Sequence, residues 1–199
     1  MSRIEAVLRE VARHLDAAGR RWALVGGLAV SARTEPRFTR DVDLALTVAD
    51  DRDAESVVAG LVARGYRPWA ALEQVAASRL ATVRLSPIHE QATGMVVDLL
   101  FASSGIEPEV VSTAEPLEVL PELRIPVASI EHLIALKVLA RDDRRRPQDR
   151  MDLLALLRVA SPEQVARARA ALALITARGF HRDKDLAADF AALLNETDP

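Results

Sequence analysis

Apolar residues recur through the first turns of the chain at Ile4, Val7, Leu8, Val11 and Leu15, the spacing of one helix face, with charged residues between them. The period then changes. "WALV" (22–25) is a short apolar run that predicts a strand, and Gly26-Gly27 turns the chain into a small helix ending near Arg33. A polar loop with Pro36 leads into "DVDLALTV" (41–48), where Val42, Leu44, Leu46 and Val48 share one face of a predicted strand. Asp41 and Asp43 therefore stand together on the other face. Asp50 or Asp51 predicts the cap of a helix carrying Val57, Val58, Leu61 and Val62, stopped by Gly65. Further strands are predicted at "RLATVRLS" (79–86) and "MVVDLLFA" (95–102). After a loop rich in Pro and Glu, "LRIPVAS" (123–129) reads as an edge strand or extended segment, because Pro126 cannot donate to a ladder. Ser129 then opens a run of helices at roughly 130–141, 148–158, 162–178 and 184–195. The pattern predicts an α/β (α+β) core over residues 1–128 and a C-terminal helical lobe over 129–199.

Composition narrows the chemistry. The chain has 199 residues, half of them apolar, which is one domain's worth with a sizeable core. A formal charge of -3 excludes a globally basic nucleic-acid coat and leaves a local basic patch open. Without cysteine there is no disulfide framework, cysteine zinc site or thiol nucleophile, and four scattered histidines form no zinc motif. The first helix is charged throughout rather than built as a leader, and no segment has the length of a membrane span. These features predict a soluble, cytoplasmic protein with no membrane partner.

The acids carry the functional reading. Two residues apart on a strand, Asp41 and Asp43 are separated by about 6.6 Å with side chains pointing the same way. Like charges at that range favour a cation between them, and Mg²⁺ takes carboxylate oxygen together with substrate phosphates. A DxD can equally end a surface loop. Asp98, inside the apolar run "MVVDLLFA", needs a cation or strong donor, either a metal ion or an arginine. Gly26 and Gly27, between a strand and a helix start, let backbone N–H groups approach an anion, although Gly-Gly also serves as a plain tight turn.

"VGG", thirteen residues and "DVDL", followed by Asp98 on a later strand, resemble the signature of the DNA polymerase β-type nucleotidyltransferase superfamily. Gly27 stands where that signature more often has Ser, which leaves backbone donors only. Within the superfamily the chain most resembles the AbiEii-type group, which includes toxins of toxin–antitoxin and phage-defence pairs. The residues carrying this are Lys137 in "IALKVLA" and the Asp-x-x-Asp of Asp149 and Asp152. The resemblance implies a mixed β-sheet flanked by helices, with Asp41, Asp43 and Asp98 as catalytic metal ligands for two Mg²⁺ ions. It also implies nucleotide contacts from Gly26, Gly27, Arg40, Lys137, Asp149 and Asp152, an NTP co-substrate, and an antitoxin partner.

Spacing alone leaves alternatives at several of these positions. Lys137 lies on an apolar face and seeks an anion or snorkels to water. Asp149 suits a first helical turn whatever its function. Arg33, Arg37 and Arg40 flank the glycine loop and either touch triphosphate or stay solvated. The expected reaction is transfer of a nucleoside monophosphate from an NTP to an acceptor hydroxyl. A tRNA acceptor would use the basic run Lys137, Arg141, Arg144, Arg145, Arg146 and Arg150. A small cationic acceptor such as an aminoglycoside would use the six glutamates of residues 107–131. A third reading is an inactive nucleotide- or partner-binding module of the same fold.

Overall fold

The computed structural model describes residues 2–74, 78–89, 94–142 and 147–197. Helix α1 (Arg3–Ala17) starts at a capping box: Ser2 Oγ accepts from Glu5 N, and the Glu5 carboxylate accepts from Ser2 N. It buries Val7, Leu8, Val11 and Leu15, worth about 6–12 kcal/mol in apolar area removed from water. Then come β1 (Trp22–Val25), α2 (Gly26–Arg33), β2 (Asp41–Leu46), α3 (Asp51–Val62), β3 (Tyr66–Gln74), β4 (Arg79–Pro87) and β5 (Val96–Leu100). The chain continues with α4 (Glu107–Ser112), β6 (Glu115–Leu120), β7 (Leu123–Val127) and the helices α5 (Ile130–Ala140), α6 (Pro147–Val159), α7 (Pro162–Ala177) and α8 (Leu186–Thr197).

The strands form one mixed sheet in the order β3-β4-β5-β2-β1-β7-β6. Strand β2 is central, antiparallel to β1 and parallel to β5. Its burial alternates from Asp41 to Leu44 and is then continuous through Ala45 and Leu46. Along β2 one face is thus buried while the other opens at the two aspartates and closes again at Ala45, and the outer strand β3 is largely exposed. One apolar core runs from Val7 to Leu193 and joins the sheet to α5, α6, α7 and α8.

Two expectations change. The "LRIPVAS" segment is not an edge: β7 lies between β1 and β6. Pro126 faces Pro116 across the β6–β7 pair, and two residues without N–H can oppose one another only at a non-hydrogen-bonded position. The Pro126 nitrogen then faces β1, and the β1–β7 pairing is confined to Leu24 and Val127. The Pro- and Glu-rich stretch before it is not all loop, since it holds α4 and the true edge strand β6. No described helix is long and apolar enough to cross a membrane.

Candidate functional site

Register places the acids. Val25 at the end of β1 pairs with Asp43, Asp43 with Asp98 on β5, and Asp98 with Arg84 on β4. Residues directly opposite in adjacent strands present their side chains to the same face, and strands lie about 4.8 Å apart. The backbone positions of Asp43 and Asp98 are therefore closer neighbours than those of Asp41 and Asp43. Arg84 grips Asp98 with both prongs: Nε donates to Oδ1 at 2.8 Å and Nη2 to Oδ2 at 2.6 Å. The Asp98 side chain is 11% exposed and that of Arg84 43%. Hydrogen bonding to Asp98 holds the Arg84 guanidinium above its ordinary pKa despite desolvation, and the charges of Asp98, Asp41 and Asp43 add to the effect.

Gly26 sits at φ +65°, and a Cβ there would overlap the Asp43 carboxylate. A Cβ on Gly27 would come within 2.7 Å of Arg37 Nη2 and 2.9 Å of Thr39 Oγ1. Close approach and a left-handed backbone thus require glycine at position 26, while at position 27 only side-chain ends crowd the space. The N-cap of α2, Val25, supplies no side-chain cap to the first N–H groups of the helix, and the helix starts at Gly26, beside the Asp43 carboxylate. Gly26→Ala is expected to cost about 1–2 kcal/mol from the left-handed backbone alone. It also displaces Asp43. Urea midpoints measure the first effect and Mn²⁺ affinity the second.

Gly26, Asp43, Asp98, Lys137 and Asp149 line one cleft of about 260 Å³, together with Arg84 and Arg182. Asp41 lies one pleat away from Asp43, half-buried, and Gly27 is buried behind Gly26. Arg40 is exposed, its guanidinium 5.6 Å from the Phe38 ring centroid, and it is not part of the cleft wall. Lys137 finds its anion in the protein: Nζ lies 2.6 Å from Asp149 Oδ1 and 2.8 Å from Asp152 Oδ2. Arg37 closes the group from the far side, donating Nε and Nη2 to Asp152 at 2.6 Å each. Arg33 turns inward, to the carbonyls of Val127 and Ala128 and to Glu115. Arg144, Arg145 and Arg146 of the basic run lie outside the described residues.

The donor set suits a hard divalent ion. Three carboxylates offer oxygen ligands, Gly26 keeps the space beside Asp43 free of a side chain, and Asp98 already takes a cation in the form of Arg84. Among the described residues no three acidic or imidazole side chains converge into a ready ligand cluster, and both oxygens of Asp98 are turned to Arg84.

The family model described as nucleotidyl transferase AbiEii toxin, type IV toxin–antitoxin system, matches residues 10–198. The chain belongs to the AbiEii nucleotidyltransferase family. Among solved structures, this AbiEii chain is similar to an antigenic nucleotidyltransferase-like protein from Paracoccidioides brasiliensis, at 20% identity over 94% of this chain and 91% of that one, with a TM-score of 0.51. It is also similar to ANT(2'')-Ia in complex with adenylyl-2''-tobramycin, at 15% identity over 97% and 98% of the two chains, with a TM-score of 0.49. The first of these likenesses, at 20% identity, speaks to the fold alone. No curated protein matches the chain.

Two charged cleft residues of this AbiEii chain, Arg84 and Arg182, are not among the site residues expected from the sequence. Arg84 had a readable signal, since it alternates with Val83 and Leu85 in an apolar strand that must pair with a strand bearing a lone acid. Arg182 had none. It reaches the cleft from the α7–α8 connection, donating to Ser103 O at 2.9 Å and Oγ at 3.1 Å, while Lys184 Nζ caps the end of α5 through the Leu139 and Arg141 carbonyls.

Proposed function

We propose that this protein transfers a nucleoside monophosphate from an NTP to an acceptor hydroxyl, releasing pyrophosphate. The observation that carries the reading is the meeting of Gly26, Asp43 and Asp98 in one cleft, beside a helix start without a side-chain cap. Asp41, Asp43 and Asp98 would hold Mg²⁺, two ions in the full site. When bound, the metal neutralises charge on the triphosphate and lowers the pKa of the acceptor hydroxyl. The Gly26 and Gly27 backbone N–H groups bind the β and γ phosphates. Lys137 adds positive charge next to them while held by Asp149 and Asp152. The acceptor oxygen attacks the α phosphorus, the bond to the pyrophosphate oxygen breaks, and the hydroxyl proton passes to the Asp98 carboxylate.

The acceptor we favour is a polyanion such as tRNA, with an antitoxin protein as the cell's control on the reaction. Arg182 brings a guanidinium to the cleft wall, where the described contacts it makes are with the Ser103 carbonyl and hydroxyl. The acidic wall that a cationic drug would need is spent elsewhere. Glu109, Glu115 and Glu131 pair with Arg178, Arg33 and Arg167, and Glu107 accepts from Ser103 N, Ser104 N and Ser104 Oγ. None of the six glutamates of residues 107–131 lines the cleft.

The test is transfer of label from an α-labelled NTP, with Mg²⁺, to bulk tRNA and to a panel of aminoglycosides. Label is expected in RNA, and the yield should fall steeply with salt. Label in the drugs alone replaces the acceptor. Label in neither, with no NTP bound, makes the protein a binding module and ends the reading.

A further inference from the structure

We infer that Arg84 is a displaceable counter-ion that couples metal binding at Asp98 to the arrival of nucleotide. The inference rests on the proposed nucleotidyl-transfer site and adds to it an order of events.

Asp98 cannot leave its place. It sits mid-strand with its partners in register on both sides, Asp43 on β2 and Arg84 on β4, and its side chain is nearly covered. Arg84 fills the fork of the carboxylate with one N–H on each oxygen, so an ion that binds both oxygens must displace it, and an ion on an outer lone pair meets the guanidinium's charge at close range. Arg84 is the member of the pair that can move: its side chain is 43% exposed, and it lines the cleft rather than the core. Its guanidinium is drawn by Asp41 and Asp43 as well as by Asp98. It therefore stands in for part of the positive charge that metal would bring.

Displacement from such a site is unfavourable until the guanidinium has another anion to meet. Of the other two cations lining the cleft, Lys137 already has two carboxylates, with Arg37 on the second of them, and Arg182 is held on the Ser103 carbonyl and hydroxyl. Arg84 is the cleft cation whose release would answer a newly arrived triphosphate. Its planar fork suits phosphate oxygens as well as carboxylate. The cleft, at about 260 Å³, lies below the usual range of roughly 300–1,000 Å³ for a small-molecule site. Withdrawal of Arg84 from Asp98 opens volume and ligands together. Nucleotide thus tightens metal at Asp98, and by reciprocity metal at Asp98 tightens nucleotide.

The experiment measures free Mn²⁺ by electron paramagnetic resonance in titrations of the full chain, with and without a non-hydrolysable NTP analogue. Wild type is expected to bind Mn²⁺ weakly alone and at least about tenfold more tightly with the analogue, within the usual span of coupling between sites. Arg84→Gln is expected to bind Mn²⁺ alone about tenfold more tightly than wild type and to gain little from the analogue, whose own affinity falls. Adding Asp98→Asn to Arg84→Gln should abolish the gain. Arg84→Lys keeps the charge without the fork and should fall between, which maintains the test if Arg84→Gln folds poorly by circular dichroism. Damage to the fold lowers metal affinity, so a rise is specific to the counter-ion role. Nucleotide-free affinity in Arg84→Gln and Arg84→Lys equal to or below wild type overturns the inference. Wild type that binds no Mn²⁺–nucleotide, or binds it as well after Asp43→Ala, overturns the transfer site instead.

Discussion

Asp43→Asn is expected to lower nucleotidyl transfer by about three orders of magnitude or more and to leave the fold intact. Two effects separate cleanly at this position. The carboxylate is half-buried, opposite Asp98 across the β2–β5 pair and attracted by the Arg84 guanidinium, so losing its charge relieves one repulsion and gives up one attraction. The asparagine has the same shape and leaves Gly26 its clearance. Urea midpoints should therefore match wild type. The reaction fares differently, because a metal ion's stabilisation of developing charge is worth several kcal/mol and each 1.36 kcal/mol is a factor of ten in rate. Pyrophosphate release from NTP, followed beside the urea curve, gives both numbers. A variant retaining transfer within tenfold of wild type would remove Asp43 from the chemistry and the row Asp43, Asp98, Arg84 from the site.

How much of this could be read without coordinates depends on which force set each element. Strand β2 was legible because its alternation is a one-dimensional record of a sheet covered on one face and open on the other. The helices α5 to α8 were legible from their caps and breakers. Strand β3 left no trace: Tyr66 is buried, the rest of the strand is largely exposed, and Pro68 and a bulge interrupt it. Its existence follows from pairing with β4, a non-local fact. The same holds for β6, whose Pro116 reads as a loop until Pro126 is placed opposite. At the site, spacing could bring Asp41, Asp43 and Asp98 forward as a set, but lateral register decides which are nearest. It also sets Arg84 against Asp98. The anion that Lys137 requires was legible as a need. That Asp149 and Asp152 supply it, with Arg37 behind them, depends on α5 packing against α6.

This buried group yields the largest expected effect on stability. Asp152→Ala removes the carboxylate shared by Lys137 and Arg37, whose side chains are 11% and 24% exposed while that of Asp152 is 1% exposed. Deleting one partner of a buried ion pair costs about 3–5 kcal/mol, and the cost here falls at the lower end because Lys137 keeps Asp149 while Arg37, partly exposed, loses the carboxylate it grips. A domain of ordinary stability has only about 5–15 kcal/mol in total. Adding Lys137→Met should deepen the loss rather than recover it, because Lys137 still pairs with buried Asp149 and its removal takes that cation away. pH provides an independent check. Burial alone would raise the Asp152 carboxyl, but hydrogen bonds from Arg37 and Lys137 outweigh it and hold it below the ordinary 3.8. A depressed folded value means that the stability it gives is complete above 3.8 and is lost as pH falls through that lower value. The gap between wild type and Asp152→Ala in urea midpoints should therefore be full near neutrality and close only in strong acid. Transfer measured per folded molecule then separates two roles for the pair. If Asp152 only seats Lys137, Asp152→Asn at low temperature keeps most of the transfer rate while losing stability. If it also contacts nucleotide, KM for NTP rises in the same variant when its melting curve shows it fully folded.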